Sequence, residues 1–463
     1  MSTVLRRVRR FLISDACTAL LFLIASVMVL TGHYVQTVLF LAFFIIELLV
    51  VCDDFAVIIA PFFMLCSVAL ATAPYCDVFL SYRGALVIAV LSLVFHFVVY
   101  RKPLRAGATL PGLVAVAVAV TLGGLGTISV SDYMAPGSLY YVLGLGVGMV
   151  LLYLLMKSQF SAPRDYDVAE VVIRALYAMG LLCVVCVARE YLVRWPSLKD
   201  HFEVIPFIAR NMYVTFLMLA MPFPIYRAMM ALRSRVGWGA AWRVLLHIGG
   251  FLLICAALLL GGSRGGLMLG GVEALLCFVY LMVYDKKHRT LYEVALGLVL
   301  LVAVAALPLV LRLYADRWGT NDFLLFSTDE ARFGLLRRAW EDFVSSPLVG
   351  VGLGHRGNVD LFEPRGMEMP WYHMMIPQIF ASMGLMGVAA YGYQIYGRVR
   401  LIWRTRSPQV MALALSYVGM LLISQVDPGE FCPIPNAMIV VLIFIMIERI
   451  AEAVPIAKQK QVD

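Results

Sequence analysis

The fold class follows from stretches such as YEVALGLVLLVAVAALPLVLR at residues 292–312 and AWRVLLHIGGFLLICAALLLG at residues 241–261. Each is as long as the stretch of about 20 apolar residues that an α-helix needs to cross a membrane. The whole chain of 463 residues has the same character, with 62% hydrophobic and only 14% charged residues. Soluble domains carry about 25% charged residues, so water is excluded as the solvent of most of this chain. We therefore predict an all-α, polytopic membrane protein.

The same length rule predicts about 14 membrane-spanning helices. They are expected at residues 11–31, 34–52, 55–74, 83–100, 107–128, 139–157, 168–188, 211–228, 241–261, 265–284, 292–312, 372–393, 408–425 and 433–452. We divide the chain into N-terminal transmembrane helices (1–204), a second transmembrane region with a long outer loop at 313–371 (205–452), and a cytoplasmic tail (453–463).

Basic residues are concentrated in alternate connections between these segments. They lie within residues 6–10, 101–105, 157–164, 227–243, 286–289, 398–406 and 449–460. Because the cytoplasmic loops of membrane proteins are enriched in Lys and Arg, these connections and both termini are predicted to be cytoplasmic. The net charge of +8 thus indicates orientation and contact with anionic lipids of the bilayer, and it predicts no nucleic-acid partner.

The long outer loop at residues 313–371 contains an amphipathic pattern. Apolar residues recur there with helical spacing, at Phe333, Leu336, Trp340 and Phe343. This spacing predicts a helix over residues 331–344 that lies at the membrane surface. Asp329 is its expected N-cap, and Pro347 is expected to end it.

Two arginines fall outside the cytoplasmic connections. Arg210 precedes one predicted segment, and Arg264 lies in the turn GGSRGG at residues 261–266. An Arg near hydrocarbon costs about 2.5–3.5 kcal/mol on insertion scales, so it normally has a partner. Guanidinium groups match phosphate oxygens, and a helix start offers free N–H groups to an anion. The alternative is that both side chains extend to the outer lipid headgroups.

His373 opens the predicted segment 372–393, where the long outer loop re-enters the membrane. A neutral imidazole there can accept a proton from a sugar hydroxyl, or it is an interfacial histidine bound to a backbone carbonyl. Asp427 is a candidate to orient His373 or an acceptor, the alternative being a solvated turn. His355, in the Gly-rich stretch at 350–355, is a further binding candidate or a part of a tight turn.

These motifs, in this order, resemble the O-antigen ligase and O-antigen polymerase superfamily of bacterial envelope glycosyltransferases. The resemblance spans residues 205–450 and rests on Arg210-Asn211, Ser263-Arg264-Gly265-Gly266, Arg338-Ala339-Trp340, PLVGVGLG at 347–354, and His373 followed by Gly384-Leu385-Met386-Gly387. In the ligases Asn, Ser or Gln follows this histidine, and Met374 stands there in this chain.

The resemblance implies a GT-C-like bundle and a metal-independent glycosyltransferase of the bacterial inner membrane, active on its outer face. The implied donor is an undecaprenyl-diphosphate-linked glycan, whose diphosphate Arg210 and Arg264 hold, while His373 activates the acceptor hydroxyl. No cofactor is implied, and the nine cysteines show no metal-ligand spacing. A flippase and a chain-length regulator are further candidate partners.

Three alternatives stay open. The acceptor is a second lipid-linked glycan in a polymerase, and a lipid A-core sugar or another terminal acceptor in an O-antigen ligase. The length of the chain, its extra predicted helices and Met374 favour the polymerase. A transporter of a lipid-linked sugar or anion and a structural or assembly role are the alternatives from other classes.

Overall fold

The computed structural model describes residues 3–71, 83–125, 138–198, 204–205, 210–234, 238–318, 330–353, 372–427, 429–431 and 434–459. The predicted N-cap Asp329 and the candidate His355 lie outside these residues. Helices account for nearly all of the described residues, and no strand occurs among them. The all-α prediction is confirmed.

The α-helices, numbered in chain order, alternate with short connections. They are α1 (Thr3–Leu12), α2 (Asp15–Leu30), α3 (Tyr34–Val51), α4 (Ile59–Ala71), α5 (Arg83–Val99), α6 (Leu110–Leu122), α7 (Ser138–Leu143), α8 (Met149–Phe160), α9 (Val168–Leu198), α10 (Arg210–Ala220), α11 (Pro222–Ser234), α12 (Trp238–Leu260), α13 (Arg264–Tyr284), α14 (Arg289–Trp318), α15 (Glu330–Ser345), α16 (Met375–Thr405), α17 (Pro408–Ile423) and α18 (Ile434–Gln459). A π-helical turn at Gly144–Gly148 joins α7 to α8.

Each predicted membrane segment coincides with an apolar helix. Within the described part of the chain, 9 helices are long and apolar enough to cross a membrane. Shorter apolar helices occupy the remaining predicted positions, at Asp15–Leu30, Phe55–Ala71, Val87–Val99, Leu110–Leu122 and Pro408–Ile423. The polytopic membrane fold is therefore confirmed, while the count of about 14 crossings stays a prediction.

The chain forms two compact units whose segments alternate along the sequence. The first unit consists of Met1–Lys102, Ala162–Leu324 and Ser407–Gly419, and the second of Pro103–Ser161, Leu325–Arg406 and Met420–Asp463. The predicted domain division at residue 204 stays a prediction.

In the first unit, the 31-residue helix α9 is the central element. It packs against α2, α4, α10 and α12, and most of its residues are buried. Gly180 allows α10 to approach, because a Cβ at this position would lie 2.3 Å from the Cβ of Ala220. Ser67 on α4 donates a hydrogen bond of 3.0 Å to the carbonyl of Met179. Small side chains and a satisfied hydroxyl thus hold the helices together, as is usual in membrane bundles.

Ion pairs in the first unit link arginines of two predicted cytoplasmic connections to aspartates. Arg227 pairs with Asp15, and Arg164 Nη2 lies 2.9 Å from Asp54 Oδ1. Burial alone would raise the pKa of the Asp54 carboxyl, but the Arg164 guanidinium and the Tyr166 hydroxyl hold that pKa below its usual value. The predicted orientation of the connections stays a prediction.

In the second unit, a buried polar cluster surrounds Glu448 on α18. Its carboxylate accepts hydrogen bonds from the Tyr153 hydroxyl at 2.8 Å and from the Thr109 N–H at 2.7 Å. Lys157 Nζ lies 3.1 Å from the same carboxylate, and both charged side chains are almost completely buried. A buried ion pair is tolerated when hydrogen bonds satisfy its remaining polar atoms, as they do here. The cluster fixes the start of α6 against α8 and α18.

The position of Arg398 corrects the sequence-based assignment, which placed it in a cytoplasmic connection. Arg398 is only 2% exposed, and its Nη2 lies 3.0 Å from Glu430 Oε1. The guanidinium also lies over the Phe444 ring, 4.9 Å from its centre. The reason is that α16 continues past this residue, which shares an interior-facing side of the helix with Gln394 and Leu401.

The helix α16 is broken at Gly384, where φ is 59° and ψ is −155°. The break frees backbone groups, which the segment 347–352 pairs with. Val351 and Gly352 donate to the carbonyls of Ala381 and Ser382 (2.9 Å each), and Leu385 and Met386 donate to those of Pro347 and Leu348 (2.8 and 3.1 Å). Since lipid offers no hydrogen bonds, a break of this kind requires such protein partners.

Glycine makes the contact between the two segments possible. A Cβ at Gly384 would lie 2.5 Å from the carbonyl carbon of Leu348, and one at Gly350 would lie 2.3 Å from that of Ser382. Both glycines have positive φ, which L-residues rarely adopt. Two Gly-rich motifs of the resemblance therefore form one structural element.

The predicted amphipathic helix is confirmed as α15. It packs against α16 through Leu335, Ala339 and Asp342, all of which are buried. Phe333 and Trp340, by contrast, are more than half exposed. An apolar surface on the outside of such a helix suits the predicted contact with the membrane surface.

The replacement Gly384→Ala is expected to lower thermal stability, because alanine would have to adopt a positive φ and displace the 347–352 segment. Backbone strain of this kind costs about 1–3 kcal/mol. Gly392→Ala is the matched control, since a Cβ there meets no atom within 4 Å. The measurement is the unfolding temperature of each purified variant in detergent. Equal temperatures for the two variants would contradict the structural role of the break.

Candidate functional site

In the first unit, the motifs that contain Arg210 and Arg264 lie against each other. Arg210 is the first residue of α10, and Arg264 is the first residue of α13. Ser263 Oγ caps α13 by accepting a hydrogen bond from the Gly266 N–H at 3.2 Å. The same hydroxyl donates to Asn211 Oδ1 at 2.9 Å. The starts of the two helices are thereby joined.

At this junction the two helix starts lie in close contact. A Cβ at Gly266 would lie 2.4 Å from Val214 of α10, so glycine is needed for the close approach. The positive ends of two helix dipoles lie side by side, and each helix begins with an arginine. No group of three or more His, Cys, Asp or Glu that could hold a metal ion occurs in the described part of the chain.

In the second unit, His373 stands just before α16 in a left-handed backbone conformation. Its φ is 53°, and no other described residue except glycine has a positive φ. Its Nδ1 lies 3.5 Å from Asp427 Oδ1, and the side chains of His373 and Asp427 are 36% and 9% exposed. Backbone strain is often stored at functional sites. An accessible imidazole with one nitrogen facing a buried carboxylate is the arrangement that general bases use.

Hydrogen bonds fix the residues next to His373. The Tyr372 hydroxyl donates to Asp342 Oδ2 at 2.6 Å, and the Tyr372 N–H donates to Gln378 Oε1 at 3.1 Å. Met374 occupies the N-cap position of α16 without a side-chain cap bond. The structure thus shows the consequence of an apolar residue where the ligases have a polar one.

The connection that contains Asp427 is held at both ends. At its start, the Ser424 carbonyl accepts a hydrogen bond of 2.7 Å from the Met375 N–H. Towards its end, the Gly429 carbonyl accepts one of 2.7 Å from Asn436 Nδ2. The buried ion pair between Arg398 of α16 and Glu430 of this connection adds a third contact. Asp427 is therefore attached to the same helix that His373 precedes.

The structure brings the sequence-predicted residues together as two pairs. His373 lies beside Asp427 in the second unit, and the segments of Arg210 and Arg264 meet in the first. The catalytic and binding roles of these residues stay predictions, as does the binding role of His355, which lies outside the described residues.

The sequence-based prediction missed Asp342 and Gln378, which position Tyr372. Asp342 had a detectable signal, because it follows Leu335 and Ala339 at helical spacing on the buried side of α15. Gln378 had none, since its partner is a backbone N–H in the preceding connection.

The model of a protein family described as O-Antigen ligase matches residues 249–392. The matched region includes Arg264, α15, the 347–352 segment and His373, whereas Arg210 and Asp427 lie outside it. No curated protein sequence matches the chain. The resemblance predicted from the sequence is confirmed by the family match, which supports placing the chain in the O-antigen ligase and O-antigen polymerase superfamily.

Proposed function

We propose that this protein transfers a glycan from an undecaprenyl-diphosphate donor to a hydroxyl of an acceptor glycan, and that it acts as a polymerase. The family match indicates membrane glycan transfer of the O-antigen ligase or polymerase type. The observation that carries the proposal is the pairing of the strained, accessible His373 with Asp427.

The proposed step is a displacement at the anomeric carbon of the donor. The acceptor oxygen forms a bond to that carbon, and its proton passes to Nε2 of His373. The bond between the anomeric carbon and the diphosphate oxygen breaks, and undecaprenyl diphosphate leaves with the electron pair. Asp427, next to Nδ1, orients the ring and stabilises the imidazolium that forms.

Arg210 and Arg264 are proposed to bind the diphosphate and to stabilise the charge that it gains on leaving. The adjacent helix starts support this role, because their free N–H groups favour an anion. A guanidinium group can bind two phosphate oxygens at once. The two arginines then supply the positive charge that a metal ion provides in other transferases.

The proposal of a polymerase over a ligase depends on features other than the His373–Asp427 pair. The sequence predicts more membrane-spanning helices than the usual ligase bundle has, and Met374 stands where the ligases have a polar residue. The proposed acceptor is accordingly a second lipid-linked glycan.

Cells that lack this protein are expected to accumulate its undecaprenyl-diphosphate glycan substrate. When the purified protein receives only this glycan, we expect a ladder of lengthening glycans, also in the presence of EDTA. His373→Ala is expected to lower the rate by about 10²–10⁴-fold, since it removes the proton acceptor. The products are resolved on gels. His33→Ala is the matched control, because His33 is exposed and makes no side-chain cap bond.

Transfer to an added lipid A-core acceptor without a ladder would show a ligase instead. A ladder of unchanged yield with folded His373→Ala would reject the proposed base. Loss of the ladder in EDTA, restored by a divalent cation, would reject the metal-free step.

Replacement of Arg264 by Gln is expected to raise the Kd for the donor about 10–100-fold, because hydrogen bonds to charged groups contribute roughly 1.5–3 kcal/mol. Binding is measured in the His373→Ala background, where turnover does not obscure affinity. Arg289→Gln is the control, since Arg289 is exposed and pairs with Glu293. An unchanged Kd would exclude Arg264 from diphosphate binding.

Replacement of Asp427 by Asn is expected to lower kcat about 10–100-fold while the donor Kd stays unchanged, because the imidazole loses its orienting charge. Glu341→Gln, an exposed change on α15, serves as the control. A higher donor Kd at an unchanged kcat would instead assign Asp427 to substrate binding.

A further inference from the structure

A groove with two arginines opens on the second unit, away from His373 along α16. Its cavity volume is about 160 Å³, and it lies between the start of α6 and the last turns of α16. Its lining includes Thr109, Gln394, Gly397, Arg400 and Arg404. We call it the basic groove.

The basic groove lies where lipid headgroups are expected. After the break, residues 385–405 of α16 extend about 30 Å, which is the thickness of the hydrocarbon layer. Arg400 and Arg404 occupy the last turns of this length. Trp403 and Leu104 nearby in the sequence are 68% and 66% exposed, as apolar anchors at a membrane interface are.

The polar groups of the groove match a ligand that has both a phosphate group and a hydroxyl group. Arg400 and Arg404 are one helical turn apart, and no described carboxylate pairs with either of them. Gln394 is only 3% exposed, and its Oε1 has no hydrogen-bond partner among the described residues. Guanidinium groups bind phosphate oxygens, whereas an unpartnered amide oxygen requires a donor. A ligand that supplies both needs a phosphate and a hydroxyl.

We propose that the basic groove binds the headgroup of an anionic phospholipid of the phosphatidylglycerol type. The two guanidinium groups bind the phosphate, and a glycerol hydroxyl donates to Gln394 Oε1. A zwitterionic headgroup fits less well, because its ammonium group would lie next to the two arginines. The site is independent of the proposed glycan transfer.

Glycine at position 397 keeps the groove open and provides a test that changes no charge. A Cβ at Gly397 meets no atom within 4 Å, so a leucine side chain there would fill the cavity without a backbone clash. Gly392 lies on the same helix, is equally open, and does not line the groove.

The test is native mass spectrometry of the purified full-length protein with added phosphatidylglycerol. Gly397→Leu is expected to weaken binding of the tightest lipid about 10-fold or more, and Gly392→Leu is expected to match the unchanged protein. Arg400→Gln with Arg404→Gln should weaken it similarly. Lys286→Gln with Lys287→Gln removes the same charge from an exposed connection and should have no effect.

Equal lipid retention by the Gly397→Leu and Gly392→Leu variants would overturn the proposal. Equal retention of phosphatidylethanolamine would overturn the charge-based selectivity. Displacement of the lipid by inorganic phosphate at the same concentration would show a simple anion site in place of a lipid site. We expect that inorganic phosphate does not displace the lipid, and that both the Gly397→Leu variant and the double arginine variant lose lipid binding.

Discussion

The backbone hydrogen bonds between the 347–352 segment and the break in α16 determine how the second unit is built. Inside a membrane, an interrupted helix exposes N–H and C=O groups that lipid cannot satisfy. Here a neighbouring segment of the same chain pairs with these groups, and α16 consists of two helical parts that meet at Gly384. Because His373 directly precedes the first helical part of α16, the hydrogen bonds to the 347–352 segment also determine where the imidazole lies. Structure and proposed chemistry therefore depend on one set of main-chain bonds.

The two candidate pairs use charge in different ways. At the junction of α10 and α13 two helix starts are joined through one hydroxyl, that of Ser263, and an anion-binding role is proposed for them. The second unit places an imidazole beside a carboxylate and anchors both through backbone bonds and the buried Arg398–Glu430 pair. Positive charge that attracts a leaving group and a base that accepts a proton are distinct requirements. In the proposed step each requirement is assigned to a different pair of residues.

The sequence predicted what depends on local composition. The positions of the apolar helices and of the amphipathic helix α15 follow from spacing within one segment. Arg398 was misassigned because a charge count treats every Arg near a helix end as part of a connection, although its spacing from Gln394 indicates an interior position. The break at Gly384 and the cluster around Glu448 were not predictable, because the partners that stabilise them come from segments distant in the sequence. Likewise, no local pattern shows that the Asp427 connection reaches His373.

The order of the two bonded segments in the chain has a consequence for biogenesis. The 347–352 segment precedes α16, so a ribosome makes it first and the insertion machinery delivers it first. When the interrupted helix enters the bilayer, the groups that complete its backbone bonds are already present. In the opposite order, the open N–H and C=O groups would wait in lipid for a partner still being synthesised. The order of synthesis is thus compatible with the architecture of this protein, because the interrupted helix α16 is inserted after the segment that completes its backbone hydrogen bonds.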